Sequence, residues 1–437
     1  MSEHEPEAPR DDGVERPPPG PLKSSVEQER AAAEIAAAAE REAETKTLDL
    51  GAGLSDRLIV AITGTSLRVT VLALVLAFAI GGVFLALSEE AVREALGYFT
   101  SRPSDTFVLA WEQIRASYAA LVGGALGSPR ALTETLVLAG PLILTGLAVA
   151  VPLRAGLLNI GGEGQVIAGG LVGGWVGFSV TGLPLVLHLP LALLCGMLAG
   201  AAVGWVPGVL KARTGAHEVI STIMLNNIFV AITFWVLTTT AFQVPGRADP
   251  ISQSILPSAR LPRYIEGLRG DIGILLALLI AAGIFWLMER STRGFELNAV
   301  GSNASAARAA GMDPSNSTIF ALTTAGALAG VAGCLIILGI DGRISPGFSS
   351  GIGFDGITVA LLGRGGIGGS VAAGLLLGGL KAGGRSMQGA TQTSLDLVVV
   401  IQALIIIFIA APKLVQAIFR VKVTDDRTTQ ISKGWGA

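Results

Sequence analysis

Three short stretches set hydrogen-bonding side chains into long apolar surroundings. The first, Asn159-Ile160-Gly161-Gly162-Glu163-Gly164-Gln165, carries two amides and a carboxylate among three glycines. The second, Gly351-Ile352-Gly353-Phe354-Asp355-Gly356-Ile357, carries a ring and a carboxylate, and the third, Ser221-Thr222-Ile223-Met224-Leu225-Asn226-Asn227, carries two hydroxyls and two amides. Amides donate and accept hydrogen bonds, and carboxylates accept them. Such groups are expensive at membrane depth and there face a bundle interior or a water-filled path. The chemistry on offer is the holding of a polar solute. Asn159, Glu163, Gln165, Asn226, Asn227, Phe354 and Asp355 are therefore candidates for a substrate path, with Phe354 able to stack on a planar ring. Each has a structural alternative: Asn226 or Asn227 bonding a neighbouring helix, and Glu163 or Asp355 pairing with Arg154 or Arg364.

Catalysis finds no matching constellation. No serine stands in a pattern with histidine and carboxylate, and no two acids sit one helical turn apart within an apolar run. His217 and Glu218 are adjacent, so they do not face each other on a helix, and they read as an interfacial, water-accessible pair. The three histidines His4, His188 and His217 are scattered, while Cys195 and Cys334 lie in apolar runs without metal-ligand spacing. No metal site and no cofactor are expected. The string from Gly351 to Gly356 fits G-x-G-x-x-G but lacks the strand that a dinucleotide site requires. The string from Gly363 to Ser370 imitates a phosphate loop, yet Gly369 stands where the lysine is needed. Neither ATP nor nucleic acid is an expected ligand of this chain. The glycines spaced by four, Gly170/Gly174, Gly196/Gly200, Gly200/Gly204, Gly326/Gly330 and Gly374/Gly378, instead suit close helix packing in lipid.

These residues need elements to hold them, and the composition says what kind. The chain has 437 residues, 15% charged and 51% hydrophobic, with 58 glycines. Soluble domains carry roughly 25% charged residues, so a water-facing surface of this size cannot be covered. The net charge of -2 conceals two regimes. Residues 1–56 hold 14 acids and 6 bases, and the remainder holds 19 acids and 25 bases. The acidic segment, with its proline run from Pro17 to Pro21, predicts a disordered tail. Beyond it, runs of about 20 apolar residues suit helices crossing a 30 Å hydrocarbon core. Spans are expected at 69–87, 133–151, 165–183, 190–210, 219–242, 272–288 and 319–340. A short run at 351–362, a short glycine-rich one at 370–380 and a full one at 395–411 follow.

The expected fold is thus an all-α polytopic membrane protein of about ten transmembrane helices, some short or broken. Its domains are a cytoplasmic tail (1–56), a transmembrane body (57–423) and a C-terminal tail (424–437). Lys211 and Arg213, Arg290 and Arg293, and Lys413, Arg420 and Lys422 fall near span ends on one side, which places both termini inside. Residues 88–132 and 243–271 become external loops. Spans two to five and seven to ten would run in opposite senses, each with a polar glycine-rich cluster at the start of its second span. Paired interruptions in an inverted repeat point to a central substrate site. In the polar loop 289–318, Asn303 is placed to cap a short helix over 304–310 that Gly311 ends.

Together the strings from Pro141 through Asn159-Ile160-Gly161-Gly162-Glu163-Gly164-Gln165, Glu218 to Asn226, and Gly294 to Gly311 with Gly353-Phe354-Asp355-Gly356-Ile357 and Leu361 to Arg364 carry a resemblance. The chain resembles the membrane permeases of ABC importers for nucleosides and simple sugars, related to the branched-chain amino-acid and ribose permeases. The resemblance implies a pore-forming subunit, not an enzyme, in a bacterial plasma membrane. It also implies three partners: a cytoplasmic ABC ATPase, a second related permease subunit and an extracytoplasmic substrate-binding protein. Glu296, Gly301, Asn303, Ala306, Ala307, Arg308 and Gly311 become candidates for coupling to the ATPase. An ion-coupled transporter or channel working without an ATPase is the alternative.

Overall fold

The computed structural model describes residues 65–420 except Glu266, so the acidic tail 1–56 and the C-terminal tail 424–437 lie outside the described residues. Among the described residues there is no strand, only isolated bridges between Gln243 and Ser252 and between Arg263 and Asp271. The helices are α1 (Thr65–Ser88), α2 (Glu90–Gly97), α3 (Pro103–Leu126), α4 (Pro129–Arg154) and α5 (Gly162–Ser179). They continue with α6 (Leu185–Thr214), α7 (Glu218–Leu237), α8 (Gly273–Arg290), α9 (Thr292–Ser302) and α10 (Ala304–Ala309). The last are α11 (Pro314–Cys334), α12 (Ile352–Leu362), α13 (Ile367–Thr391), α14 (Leu395–Ala410) and α15 (Pro412–Phe419).

Seven of these are long and apolar enough to cross a membrane, and the bent pair α14 and α15 would make eight. Each of the ten expected runs carries a helix, but α5 stops at Ser179 and α7 at Leu237. α5 and α12 are not among the span candidates, so the described residues give seven or eight crossings rather than about ten. The run at 370–380 is part of the 25-residue α13, longer than its hydropathy suggested because glycines and Lys381 dilute the signal. The stretch 88–132, expected as a loop, holds α2 and the 24-residue α3. Asp105, Glu112 and Arg115 hid α3 from an apolar count. Tertiary packing holds it: the Tyr118 hydroxyl donates to the Phe78 carbonyl of α1, and Thr135 of α4 donates to the Ala125 carbonyl at 2.7 Å.

The centre is α4 and α11, whose most apolar stretches are 89% and 83% buried, against 17% for α7. A reciprocal exchange organises the bundle. α4 packs along α13 and α11 packs along α6, so the first helix of each half lies against the third helix of the other. Both contacts are antiparallel. On α13, Gly378 meets Ala139 and Gly374 meets Ile143; on α6, Gly200 meets Gly326 and Gly204 meets Leu322. Antiparallel contacts of this kind require the halves to be inverted, which the repeat of spans two to five and seven to ten anticipates.

Glycine is what allows the α6–α11 approach. A Cβ on Gly326 would lie 2.2 Å from the Gly200 carbonyl oxygen, inside any van der Waals contact, and backbone cannot yield as a flexible side chain can. Gly326→Val should therefore cost about 3 kcal/mol or more. Gly283 on α8, where a Cβ meets nothing within 4 Å, supplies the control. Fluorescence-detected size exclusion and thermal unfolding in detergent should find Gly326→Val depleted and unstable, with Gly283→Val like the parent.

Candidate functional site

The turn between α4 and α5 is built from amides. Asn159 is fully buried. Its Nδ2 donates to the Ala148 carbonyl at 3.2 Å and to Gln165 Oε1 at 2.9 Å, Gln165 Nε2 donates back to Asn159 Oδ1 at 3.2 Å, and the Gly161 amide donates to the same Oδ1 at 3.1 Å. Asn226 reaches in from α7, accepting from the Gly164 amide at 2.8 Å and donating to the Ile160 carbonyl at 2.9 Å. Asn159 and Asn226 thus accept from the Gly161 and Gly164 amides at a buried helix start whose first N–H groups have no partners within the helix, and Gln165 holds Asn159 in place. Among the described residues, Asn227 bonds only its own helix, at the Ile223 carbonyl.

Glu163 does something different. Its carboxylate crosses to the start of α12, accepting from the Gly351 amide at 3.2 Å, the Gly353 amide at 2.9 Å and the Ser349 hydroxyl. A negative group at a helix N-terminus is favoured by the backbone dipoles as well as the hydrogen bonds. The two backbones nearly touch here, since a Cβ on Gly353 would lie 2.2 Å from the Glu163 nitrogen. The two strings are alike: Ile160-Gly161-Gly162-Glu163-Gly164 and Ile352-Gly353-Phe354-Asp355-Gly356 share Ile-Gly-x-acid-Gly. Beside this junction lies a cavity of about 190 Å³, lined by Glu163 and Ile167 of α5, Val230, Thr233 and Phe234 of α7, and the segment from Gly347 to Gly351. Ring faces, hydroxyls and a carboxylate around such a volume suit a small polar molecule with a flat apolar portion.

The other candidates are placed elsewhere. Phe354 is 45% exposed and is not among the residues around the cavity. Asp355 pairs with neither Arg154 nor Arg364: Lys381 of α13 donates to its Oδ2 at 2.6 Å, while Arg154 binds Glu289 at 3.0 Å. Glu218 is buried and takes Lys211 at 2.6 Å, so its main partner is this lysine rather than the exposed His217. Sequence reasoning missed Lys381, Phe348, Ser349 and Thr233. A lysine inside a glycine-rich apolar helix was a usable signal for the first. The others come together only through the loop before α12.

At one end of the bundle α9 and α10 replace the expected plain loop with its single helix. Asn303 caps α10 by accepting from Ser305 and Ala306, both at 3.0 Å, and Gly311 has φ +85°. Glu296 pairs with Arg293 at 3.0 Å. Ala307 is buried, whereas Ala306 and Arg308 face outward. Gly301 ends α9 against the end of α4, where a Cβ would meet the Arg154 carbonyl oxygen at 2.1 Å. No group of three or more metal-binding side chains occurs among the described residues.

Inverted half-bundles, a mainly apolar cavity beside the junction of two helix starts, and an outward-facing polar helix pair at one end describe a polytopic membrane protein. The chain belongs to the family described as branched-chain amino acid transport system / permease component, whose model matches residues 131–410. It is similar to the guanosine ABC transporter permease protein NupP of Bacillus subtilis, 39% identical over 68% of this chain and 86% of that one. It is 35% identical to the nucleoside ABC transporter permease protein NupB of Lactococcus lactis, over 68% and 84% of the two chains. It is 34% identical to the glucose ABC transporter permease protein TsgB13 of Haloferax volcanii, over 71% and 84%. No solved structure matches it. The protein is a permease subunit of the ABC class.

The Glu163 junction makes a direct prediction. Glu163→Ala leaves the buried Gly353 amide, the half-buried Gly351 amide and the Ser349 hydroxyl without this acceptor, at about 1–3 kcal/mol for each buried group left unsatisfied. Glu163→Gln keeps one acceptor oxygen and should lose less. Unfolding temperature in detergent should fall in the order parent, Glu163→Gln, Glu163→Ala. Equal temperatures for all three would mean that the carboxylate does not hold α12.

Proposed function

We propose that this chain is the permease of an ATP-driven importer for nucleosides, working in a plasma membrane with both termini cytoplasmic. In this reading residues 1–56 and 424–437 are cytoplasmic tails, 57–423 form the transmembrane body, and 289–318 are the cytoplasmic loop. A substrate-binding protein delivers solute on the outer side, a second related permease completes the pore, and a separate ABC ATPase docks under α9 and α10. The observation that carries the nucleoside reading is the 39% identity to a guanosine permease across 86% of that protein. The cavity agrees in chemistry, with Phe234 and Phe348 offering ring faces beside Ser349, Thr233 and Glu163. A simple sugar is the second reading, favoured by the 34% identity to a glucose permease.

Coupling follows from where α9 ends. Gly301 rests on the segment from Arg154 to Gly156, which leads within a few residues to Asn159 and the start of α5. Movement of α9 and α10 by the ATPase would therefore shift the start of α5 against α12. The Glu163 hydrogen bonds are the contacts that such a shift exchanges, giving the bundle two discrete arrangements that ATP and substrate bias.

Reconstitution of the full complex in vesicles tests this. Guanosine and related nucleosides, presented with the binding protein, should stimulate ATP hydrolysis several-fold, and glucose should not. Stimulation by glucose alone would move the assignment to sugars. Uptake that persists without the ATPase and follows an imposed ion gradient would replace it with ion-coupled transport. Asn303→Ala removes both capping bonds of α10, at about 1 kcal/mol, and should lower stimulated hydrolysis with substrate binding unchanged.

A further inference from the structure

The repeat that places Glu163 at the junction places Asp355 at the same step of α12, yet the two acids are used differently. Glu163 is 6% exposed and saturated by three donors. The Asp355 side chain is 28% exposed, its Oδ2 takes Lys381 Nζ at 2.6 Å, and its Oδ1 has no donor among the described residues. Lys381 is 30% exposed. Phe354, next to Asp355, is 45% exposed, and Arg385, one turn beyond Lys381 on the same face of α13, also faces outward.

The depth of this group decides its meaning. α12 has 11 residues, or about 16 Å of helix, half of a hydrocarbon core of about 30 Å. With its C-terminal end at the membrane face where α13 begins, as the permease reading has it, its first turn falls within the membrane, where irregular backbone is tolerated only against protein or a water-filled space. Lys381 lies near the middle of the 25-residue α13. An ion pair left open to lipid at that depth costs several kcal/mol, and the described residues leave Lys381 and Asp355 30% and 28% exposed. The open face therefore meets water.

We propose that Phe354, Asp355 and Lys381 form a second wall of the aqueous path, which recognises an uncharged solute through vicinal hydroxyls on a ring. Asp355 Oδ1 accepts from the hydroxyl pair, the free N–H groups of Lys381 donate to hydroxyl or ring oxygens, and the Phe354 ring covers the apolar face. Ribose of a nucleoside and the ring of a hexose share this chemistry. The inference rests on the permease reading and adds to it a recognition element in the second half of the repeat.

Two measurements on the assembled complex in vesicles decide it. The first reacts Phe354→Cys and Lys381→Cys with a charged, membrane-impermeant thiol reagent, with the parent, which carries Cys195 and Cys334, as the baseline. Both variants should react about tenfold faster than the parent, and guanosine or glucose, whichever the complex carries, should slow the reaction. Reaction at the parent rate would mean that lipid or a partner subunit covers this face, and fast reaction without protection would mean that the solute does not touch it. Either result overturns the proposal, and Phe354→Cys alone decides if Lys381→Cys does not assemble.

The second measurement compares uptake of guanosine with its 2′,3′-dideoxy analogue, or of glucose with a deoxy analogue. A site built to bond hydroxyls rejects the analogue lacking them. Asp355→Asn should reduce that preference about tenfold, with a smaller effect on uptake of the analogue itself. Equal losses for both compounds would make the pair structural and overturn the proposal. A parent complex that carries neither compound would refute the transport reading, whereas the labelling rates would still report whether the face is wet.

Discussion

A single carboxylate joins the two halves of this protein where their backbones nearly touch. Glu163 starts α5 and closes the start of α12, so one side chain serves as part of one helix and as the cap of another. The arrangement follows from an unavoidable problem. A helix that begins inside a bundle exposes N–H groups that neither lipid nor an apolar neighbour can satisfy, and two such helices begin here. Asn159, held by Gln165, and Asn226 serve α5, and Glu163 serves α12 while also accepting from the Ser349 hydroxyl. The cavity is the space left beside these starts once they are satisfied.

The rest of the bundle brings these two starts to the same place. Its largest contacts are the reciprocal antiparallel pairs α4–α13 and α6–α11, both lined by glycines that let main chains approach within side-chain distance. In lipid no hydrophobic drive pulls helices together, so packing contact and hydrogen bonds must supply the association. Close glycine contacts give packing without side-chain ordering entropy.

Several features were legible from particular residues. Long apolar runs announced the helices, spacing by four announced the glycine seams, and Asn303 with Gly311 bounded α10. Three of the candidate residues, Asn159, Gln165 and Asn226, are buried where the two halves meet, yet as scaffold for the α5 start rather than as cavity lining. Glu163 does both. Phe354 and Asp355 are not among the residues around the cavity, and Lys381 is the partner of Asp355. α3 escaped notice because three charges lowered its hydropathy and its support comes from Phe78 and Thr135, far away in the chain.

The sequence by itself determined the class of the molecule, its most apolar helices, the glycine-rich interruptions and the polar residues that had to be explained. These are local properties: hydropathy, capping and small-residue spacing act over a few turns of chain. Only the tertiary structure decided what each polar residue is for. Glu163 meets Ser349 and Gly353 across nearly two hundred residues, and Asp355 chooses Lys381 over Arg154 and Arg364. A carboxylate binds whichever donors the fold delivers, and the inverted packing of the halves delivers different donors to two otherwise matching acids.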